Sequence, residues 1–300
     1  KKHMINSIDK GIIFMLFSAL ISALNGAIAK ILSEDMSALE IVFFRNFIGV
    51  IIILYLLKHT APKLYSGKFH LLLARGIYGF IAMILFFYTI TAIPLGEAIT
   101  LNKTSPLFAT LLAFYFLKEH LNVRIVLALL IGFLGIVLIT KPFGFVISYE
   151  HFLGILGGFF AAAAYTTIKK IKNIYDARII VLSFVGVGTV IPAILFLITP
   201  YVEIHSSLQF LFQEFKMPDS TYLWFMILFM AFISTLSQWL LTKAYSASKV
   251  SIIGVISYTN IPFAIGFGWM LGDQFPDMLT FTGIGFIILG GILVSKAKQL

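Results

Sequence analysis

The chain contains no cysteine among its 300 residues, and only 12% of its residues are charged. The absence of cysteine excludes disulfide bonds and cysteine-ligated metal sites. The sequence also lacks a phosphate-binding P-loop, a GxSxG nucleophile motif, an HExxH zinc motif and Cys/His metal spacings. These absences argue against an ATP-driven pump or a hydrolase. We therefore expect no catalytic residue, no metal and no cofactor.

Hydrophobic residues make up 60% of the chain, and its mean hydropathy is +1.00. Such a composition is typical of an all-α polytopic membrane protein, because a helix needs about 20 apolar residues to cross the hydrocarbon. Apolar runs of this kind predict ten transmembrane helices, at about 11–31, 39–57, 71–93, 95–117, 123–140, 152–168, 179–199, 222–241, 250–271 and 278–294.

The basic residues predict how these helices are oriented. If the N-terminus is cytoplasmic, nearly all basic residues, Arg75 among them, fall in the inner segments, and only Lys30, Lys141 and Lys216 lie outside. The positive-inside rule then places both termini in the cytoplasm and gives a multi-pass protein of the cytoplasmic (inner) membrane. This distribution also explains the net charge of +9 without a nucleic-acid partner. The basic residues 1–10 precede a long apolar run without a cleavage site, which favours a retained first span over a signal peptide.

The chain also repeats itself. Residues 94–120, PLGEAITLNKTSPLFATLLAFYFLKEH, have an echo in residues 247–274, and each is followed by a glycine-containing helix. Two five-helix halves, 1–145 and 146–300, follow from this repeat. Because five is odd, the halves must have opposite orientations, which is the inverted-repeat arrangement of many secondary transporters, whose site lies near the midplane between the repeats.

Polar residues inside the fourth predicted helix mark a candidate substrate site. Glu97, Asn102 and Lys103 lie in an otherwise apolar segment. A lysine in a membrane helix costs about 2.5 to 3.5 kcal/mol on translocon scales, so it normally faces a cavity or the bundle interior. Counting depth along the helices, Arg45 of the second helix and Glu97 could meet, which would leave Lys103 to bind an anionic group of the substrate. The alternatives are a structural charge network, a snorkelling Lys103, and Glu97 as a proton-coupling carboxylate.

The second half offers polar and aromatic candidates instead of charges. Asn260 lies beside Pro262, which frees a backbone carbonyl. Tyr258 and Trp239 are suited to stacking on a planar ring, although both are equally suited to packing. The further substrate-binding candidates are Tyr165 and Gln238.

Several of these patterns together resemble the EamA family of the drug/metabolite transporter (DMT) superfamily. They are the two five-helix halves, FFRN at 43–46, the pattern from Tyr88 through Pro106 to Lys118 and Glu119, and its echo around Pro262 and Gly272. The resemblance covers essentially the whole chain. It implies transport of small organic metabolites across the cytoplasmic membrane through a central cavity between the halves.

The predicted function is a secondary transporter that moves a small polar, anionic or zwitterionic metabolite, such as an amino acid or a nucleotide-like compound, by alternating access. The alternative is a lipid or lipid-linked-sugar flippase. The predicted partners are a small-molecule substrate and membrane lipid, while proton coupling and a homodimer are left open. A membrane-embedded enzyme is disfavoured because no paired catalytic constellation is present.

Overall fold

The structure of the chain is a computed structural model that describes residues 2–60, 67–93, 95–140, 148–202, 211–212, 214–272 and 275–297. Throughout these ranges the regular structure is helical, without a β-strand. The helices, in chain order, are α1 Lys2–Leu32, α2 Ala38–His59, α3 Phe69–Ala92, α4 Leu95–Asn102, α5 Ser105–Leu117, α6 Val123–Thr140, α7 Tyr149–Ile171, α8 Ala177–Ile198, α9 Thr221–Ala247, α10 Val250–Ser257, α11 Asn260–Met270 and α12 Met278–Ala297.

Each predicted apolar segment falls on helical structure, and the prediction of an all-α membrane protein is confirmed. Within the described ranges, eight helical stretches are long and apolar enough to cross a membrane, and a shorter apolar helix follows at Met278–Val294. The predicted fourth segment is not one continuous helix but two, α4 and α5. The predicted ninth segment is likewise divided into α10 and α11.

Proline accounts for both breaks. Pro106 lies in the first turn of α5, and the residue four positions earlier, Asn102, is the last residue of α4. Pro262 likewise lies in the first turn of α11, four residues after Tyr258, the C-cap residue that follows α10. Since proline has no N–H and its ring crowds the carbonyl four residues before it, the helix is interrupted at that carbonyl.

Helices of the two predicted halves pack mainly against each other. α1 packs against α9, α2 against α8, α3 against α7 and α6 against α12, while α5 contacts both α7 and α10. The α6–α12 pair is very close: a Cβ added at Gly135 would lie 2.5 Å from the carbonyl oxygen of Gly283, and the reverse distance is the same. Small residues permit this approach in membrane helices, where dispersion contacts drive association. The two halves therefore intermesh.

Hydroxyl groups also join the halves inside the bundle. Ser18 of α1 donates to the carbonyl oxygen of Ser237 in α9 over 2.9 Å, and Ser237 Oγ donates back to the Ser18 carbonyl over 3.0 Å. Both residues are buried. Such reciprocal bonds satisfy polar groups that hydrocarbon cannot solvate. They fix α1 and α9 beside the cavity described below.

Candidate functional site

The break between α4 and α5 presents Lys103 to the interior of the bundle. Within the described part of the chain, Lys103 Nζ has one hydrogen bond, donated to Asn260 Oδ1 over a long 3.4 Å. Asn260 is the first residue of α11, so the two helix breaks face each other. The Asn260 amide is held in turn by α1, because its Nδ2 donates to the Ala19 carbonyl over 2.9 Å.

A polar cavity of about 120 Å³ opens around this pair. Helices of both halves line it, and the hydroxyl and amide groups outnumber the apolar side chains. The described lining residues contain no carboxylate. They are Met15, Ser18, Ala19, Ser22, Asn102, Lys103, Ser105, Tyr165, Ser237, Gln238, Leu241, Tyr245, Ser257 and Asn260.

A second cavity of about 180 Å³ holds two arginines, Arg45 of α2 and Arg75 of α3. Arg45 Nη2 lies 3.3 Å from the sulfur of Met83, a weak acceptor, and its Nε is buried without a hydrogen-bond partner among the described residues. Arg75 is 2% exposed, and its Nε and Nη1 are buried and likewise have no partner in the described part of the chain. Its guanidinium carbon lies 4.9 Å from the centre of the Phe184 ring, a cation–π contact.

The two cavities adjoin. Asn102, Tyr165 and Gln238 line both of them. The Tyr165 ring stacks on Tyr245 at 4.8 Å with an interplanar angle of 12°, which fixes its position between the cavities. We call the two cavities with their three shared residues the central site.

The family model for EamA-like transporters matches the chain twice, at residues 9–141 and 148–296. The chain belongs to the EamA-like transporter family. The predicted resemblance is thereby confirmed, and this EamA family member is a membrane transporter rather than an enzyme. The apolar helices and the family together make it a multi-pass membrane protein.

Relatives of this EamA family member match over nearly its full length. It is 29% identical to the pseudopaline exporter CntI of Pseudomonas aeruginosa, over 97% of this chain and 98% of that protein. It is 31% identical to an uncharacterized transporter of Helicobacter pylori, over 98% and 97% of the two chains. It is 23% identical to the riboflavin transporter of Vibrio cholerae, over 96% and 93%. A small-molecule substrate follows from these relationships.

A solved crystal structure also has the fold of this EamA family member. The match covers 99% of this chain and 98% of the other, with a TM-score of 0.73 at 13% identity. A likeness at this identity concerns the fold alone.

Of the predicted site residues, six line the central site of this EamA family member. They are Arg45, Asn102, Lys103, Tyr165, Gln238 and Asn260. Glu97 lies in α4, but its side chain is outside the described part of the structure, so its pairing with Arg45 stays a prediction. The one described hydrogen bond of Arg45 is donated to the Met83 sulfur.

Two predicted residues lie elsewhere. Tyr258 is fully buried where α10 packs on α6, and a Cβ added at Gly132 would lie 2.7 Å from its ring. Trp239 lines a separate apolar groove between α2, α8 and α9, with Lys243 Nζ 5.4 Å from its ring centre. The structure brings neither to the central site. Tyr258 is packed between helices, whereas Trp239 faces this groove, and a role of either in substrate binding stays a prediction.

Arg75 was predicted to lie in the inner basic segments, and its place in the site was not predicted. The structure puts it in the second turn of α3, buried and lining the second cavity. The signal was present, because the predicted span 71–93 already contained this arginine. An ionisable residue within a predicted span is by default a functional candidate, even near the end of the span.

Proposed function

We propose that this protein is a secondary transporter that moves a small anionic or zwitterionic organic metabolite across the cytoplasmic membrane by alternating access, with Lys103 binding an anionic group. The observation that carries the proposal is the position of Lys103. It lies at a helix break between the halves and lines a polar cavity, and its one described hydrogen bond is long and neutral. Among the described residues, the Lys103 ammonium therefore has no negative group to balance its charge, which a charge inside the bundle needs. A carboxylate or phosphate of the substrate supplies it.

Two inverted five-helix repeats, 1–145 and 146–300, are the proposed architecture. The two matches of the family model, on either side of residue 145, support it. The packing supports it as well. If α1 corresponds to α7 and α3 to α9, the packing of α1 on α9 has its counterpart in α7 on α3. Discontinuous helices at equivalent positions of two repeats are the usual mark of a binding site at the membrane midplane.

Both termini are proposed to be cytoplasmic, on the charge distribution given above. The basic ends of α2 and α7 then lie at the inner face, with Lys58, His59, Lys169 and Lys170 in their last turns. Glu97 is the proposed group for proton coupling, with exchange and facilitated movement as the other driving modes.

A lipid or lipid-linked-sugar flippase is the second candidate, and one observation favours it. The groove that holds Trp239 has a volume of about 500 Å³, apolar walls and a charged end with Lys243, Arg178 and Asp176. Hydrogen bonds donated by Arg178 lower the pKa of the Asp176 carboxyl. Among the described residues, this groove and the central site share no lining side chain. The metabolite transporter therefore remains the first proposal.

The proposal is tested by thermal stabilisation of the purified protein with a metabolite library and with phospholipids. A ligand that binds only the folded state raises stability by about 2.7 kcal/mol at a concentration of 100 Kd. We expect anionic or zwitterionic metabolites to stabilise the wild type but not Lys103→Gln. The matched control is Lys58→Gln, which removes one positive charge from an exposed lysine and should respond like the wild type.

Uptake of the stabilising metabolite into proteoliposomes then establishes transport. The proposal fails if Lys103→Gln is stabilised as strongly as the wild type. Stabilisation by lipids alone would favour the flippase.

A further inference from the structure

The arginine cavity contains more positive charge than one anionic group compensates. Arg45 and Arg75 lie in it, and Lys103 lies in the cavity next to it. None of the described side chains that line either cavity is acidic. In a low-dielectric interior an unpaired charge is expensive, and among the described residues a substrate with one negative group at Lys103 would leave both guanidinium groups without a counter-charge.

The hydrogen-bonding capacity of the arginines leads to the same conclusion. A guanidinium has five N–H donors and no acceptor. Arg75 Nε and Nη1 and Arg45 Nε are buried without a partner among the described residues. Buried donors are normally satisfied, and the planar guanidinium fits a carboxylate or phosphate through paired bonds. The unfilled donors therefore mark the place of a second anion.

We infer that the substrate carries two separated anionic groups, one bound at Lys103 and the other by Arg45 and Arg75. This inference rests on the proposed function and narrows its substrate class from anionic or zwitterionic metabolites to those with two anionic groups. The middle of the substrate lies against Asn102, Tyr165 and Gln238, the residues shared by the two cavities. Amide and phenol groups there offer neutral hydrogen bonds to the linking atoms.

Gly79 positions the Arg75 guanidinium. A Cβ added at Gly79 would lie 2.5 Å from Arg75 Nη1 and 2.7 Å from the Phe184 ring. The missing side chain thus makes room for the guanidinium between α3 and that ring. A methyl group there would force Arg75 or Phe184 to move, so Gly79 is a positioning residue for the second anion.

The test uses succinate, glutarate, adipate and pimelate, each paired with its monomethyl ester, as probes of the purified full chain by thermal shift. Each pair differs by one negative charge at nearly the same length. We expect at least one diacid to bind the wild type about tenfold or more tightly than its monoester, which is the effect of one added charged hydrogen-bonded pair. Because the four diacids differ in chain length, the comparison also shows which distance between the two anionic groups fits the site. This comparison requires no variant.

Variants then assign the second anion to the arginines. Arg75→Gln and Gly79→Ala should reduce the ratio of diacid to monoester affinity toward one while monoester binding at Lys103 persists. Arg75→Lys should retain part of the ratio. Arg124→Gln removes an exposed arginine at the start of α6 and serves as the control with an unchanged ratio.

Three results overturn the inference. Equal affinity for every diacid and its monoester would refute it and leave the proposed function standing. A diacid preference that survives Arg75→Gln and Arg45→Gln would place the second anion elsewhere. The inference alone is also refuted if no diacid stabilises the wild type while monoanions or zwitterions of the metabolite library do. The proposed function falls only if Lys103→Gln is still stabilised by those monoanions or zwitterions.

Discussion

The Asn46 side chain shows how a polar residue inside this membrane protein can be structural rather than functional. Asn46 is 1% exposed and follows Arg45 in the FFRN sequence. Its Nδ2 donates to the Gly188 carbonyl oxygen of α8 over 3.2 Å. Gly188 lies four residues before Pro192, whose missing N–H leaves that carbonyl without its helical donor. The two neighbouring residues therefore have different roles. Arg45 lines the cavity, and Asn46 donates the hydrogen bond that Pro192 cannot donate to the Gly188 carbonyl.

Replacing Asn46 with leucine should destabilise the protein, because the Gly188 carbonyl loses its only side-chain donor among the described residues. An unsatisfied buried acceptor costs about 1 to 3 kcal/mol, although bonds inside membrane proteins average about 0.6. We expect Asn46→Leu to lower the Tm by a few degrees. Asn173→Leu, at an exposed position, is the control. An unchanged Tm for Asn46→Leu would mean that water or another donor replaces the amide.

Glu40 is a buried acidic residue whose role is likewise structural. The structure shows this residue in the first turn of α2, 4% exposed and in a capping box with Ser37. Its carboxylate also accepts the Lys216 N–H over 2.6 Å. Its oxygens are thus occupied by backbone donors, which distinguishes it from the unsatisfied arginines of the central site.

Among the structural elements, the two broken helices bring the halves together at the site. Pro106 and Pro262 are visible in the sequence, and the missing N–H of each indicates where a helix can break, although both segments were predicted as single spans. What the sequence does not contain is the contact between the breaks, Lys103 Nζ with Asn260 Oδ1, which joins residues far apart in the chain. This contact depends on how the helices pack against each other, and hydrophobic periodicity does not predict that packing.

Replacing Pro106 with alanine should repair the break between α4 and α5 and move Lys103. Alanine restores an N–H that can bond the Asn102 carbonyl, so the helix can become continuous. We expect Pro106→Ala to keep or raise the Tm while it sharply reduces uptake of the metabolite that stabilises the wild type. Pro200→Ala, at an exposed position beyond α8, is the control for both measurements. Normal uptake by Pro106→Ala would show that Lys103 does not require the break.

On the scale of the whole molecule, the sequence predicts the apolar segments and the family well, and the lining of the site only in part. Apolar runs are a local signal, and all ten overlap helices. Arg75 was misplaced because the end of a span is poorly fixed by hydropathy, and a few residues decide between a loop and the bundle interior. Tyr258 and Trp239 could not be separated from Tyr165 and Gln238, since all four are amphipathic or aromatic residues on helices and only packing decides which face the cavity.

Hydrogen bonds join helix ends at one face of the molecule, two of them within the second predicted half and one between the halves. The proposed alternating access would require this face to open. Lys172 Nζ, just after α7, donates to the Ser246 carbonyl over 2.8 Å, and Lys169 Nζ donates to the Ser248 carbonyl. Glu119, after α5, accepts the Val250 N–H at the start of α10 over 3.1 Å. All three contacts hold residues 246–250, which comprise the end of α9, the link and the start of α10, and so lead into the second broken helix.

Removing one of these bonds should expose the central site from this face. The chain has no cysteine, so Ser105→Cys, a buried position in the lining of the first cavity, gives a single thiol without background. We expect Lys172→Met to raise the labelling rate of that thiol about two- to tenfold, because one hydrogen bond contributes about 0.5 to 1.5 kcal/mol. Lys170→Met removes an exposed neighbouring lysine and should leave the rate unchanged.

A membrane-impermeant thiol reagent, applied separately to inside-out and right-side-out vesicles, identifies the face that opens. If the increase occurs only in inside-out vesicles, the contacts close the cytoplasmic side, as the charge distribution predicts, and if it occurs from the other side the proposed orientation is reversed.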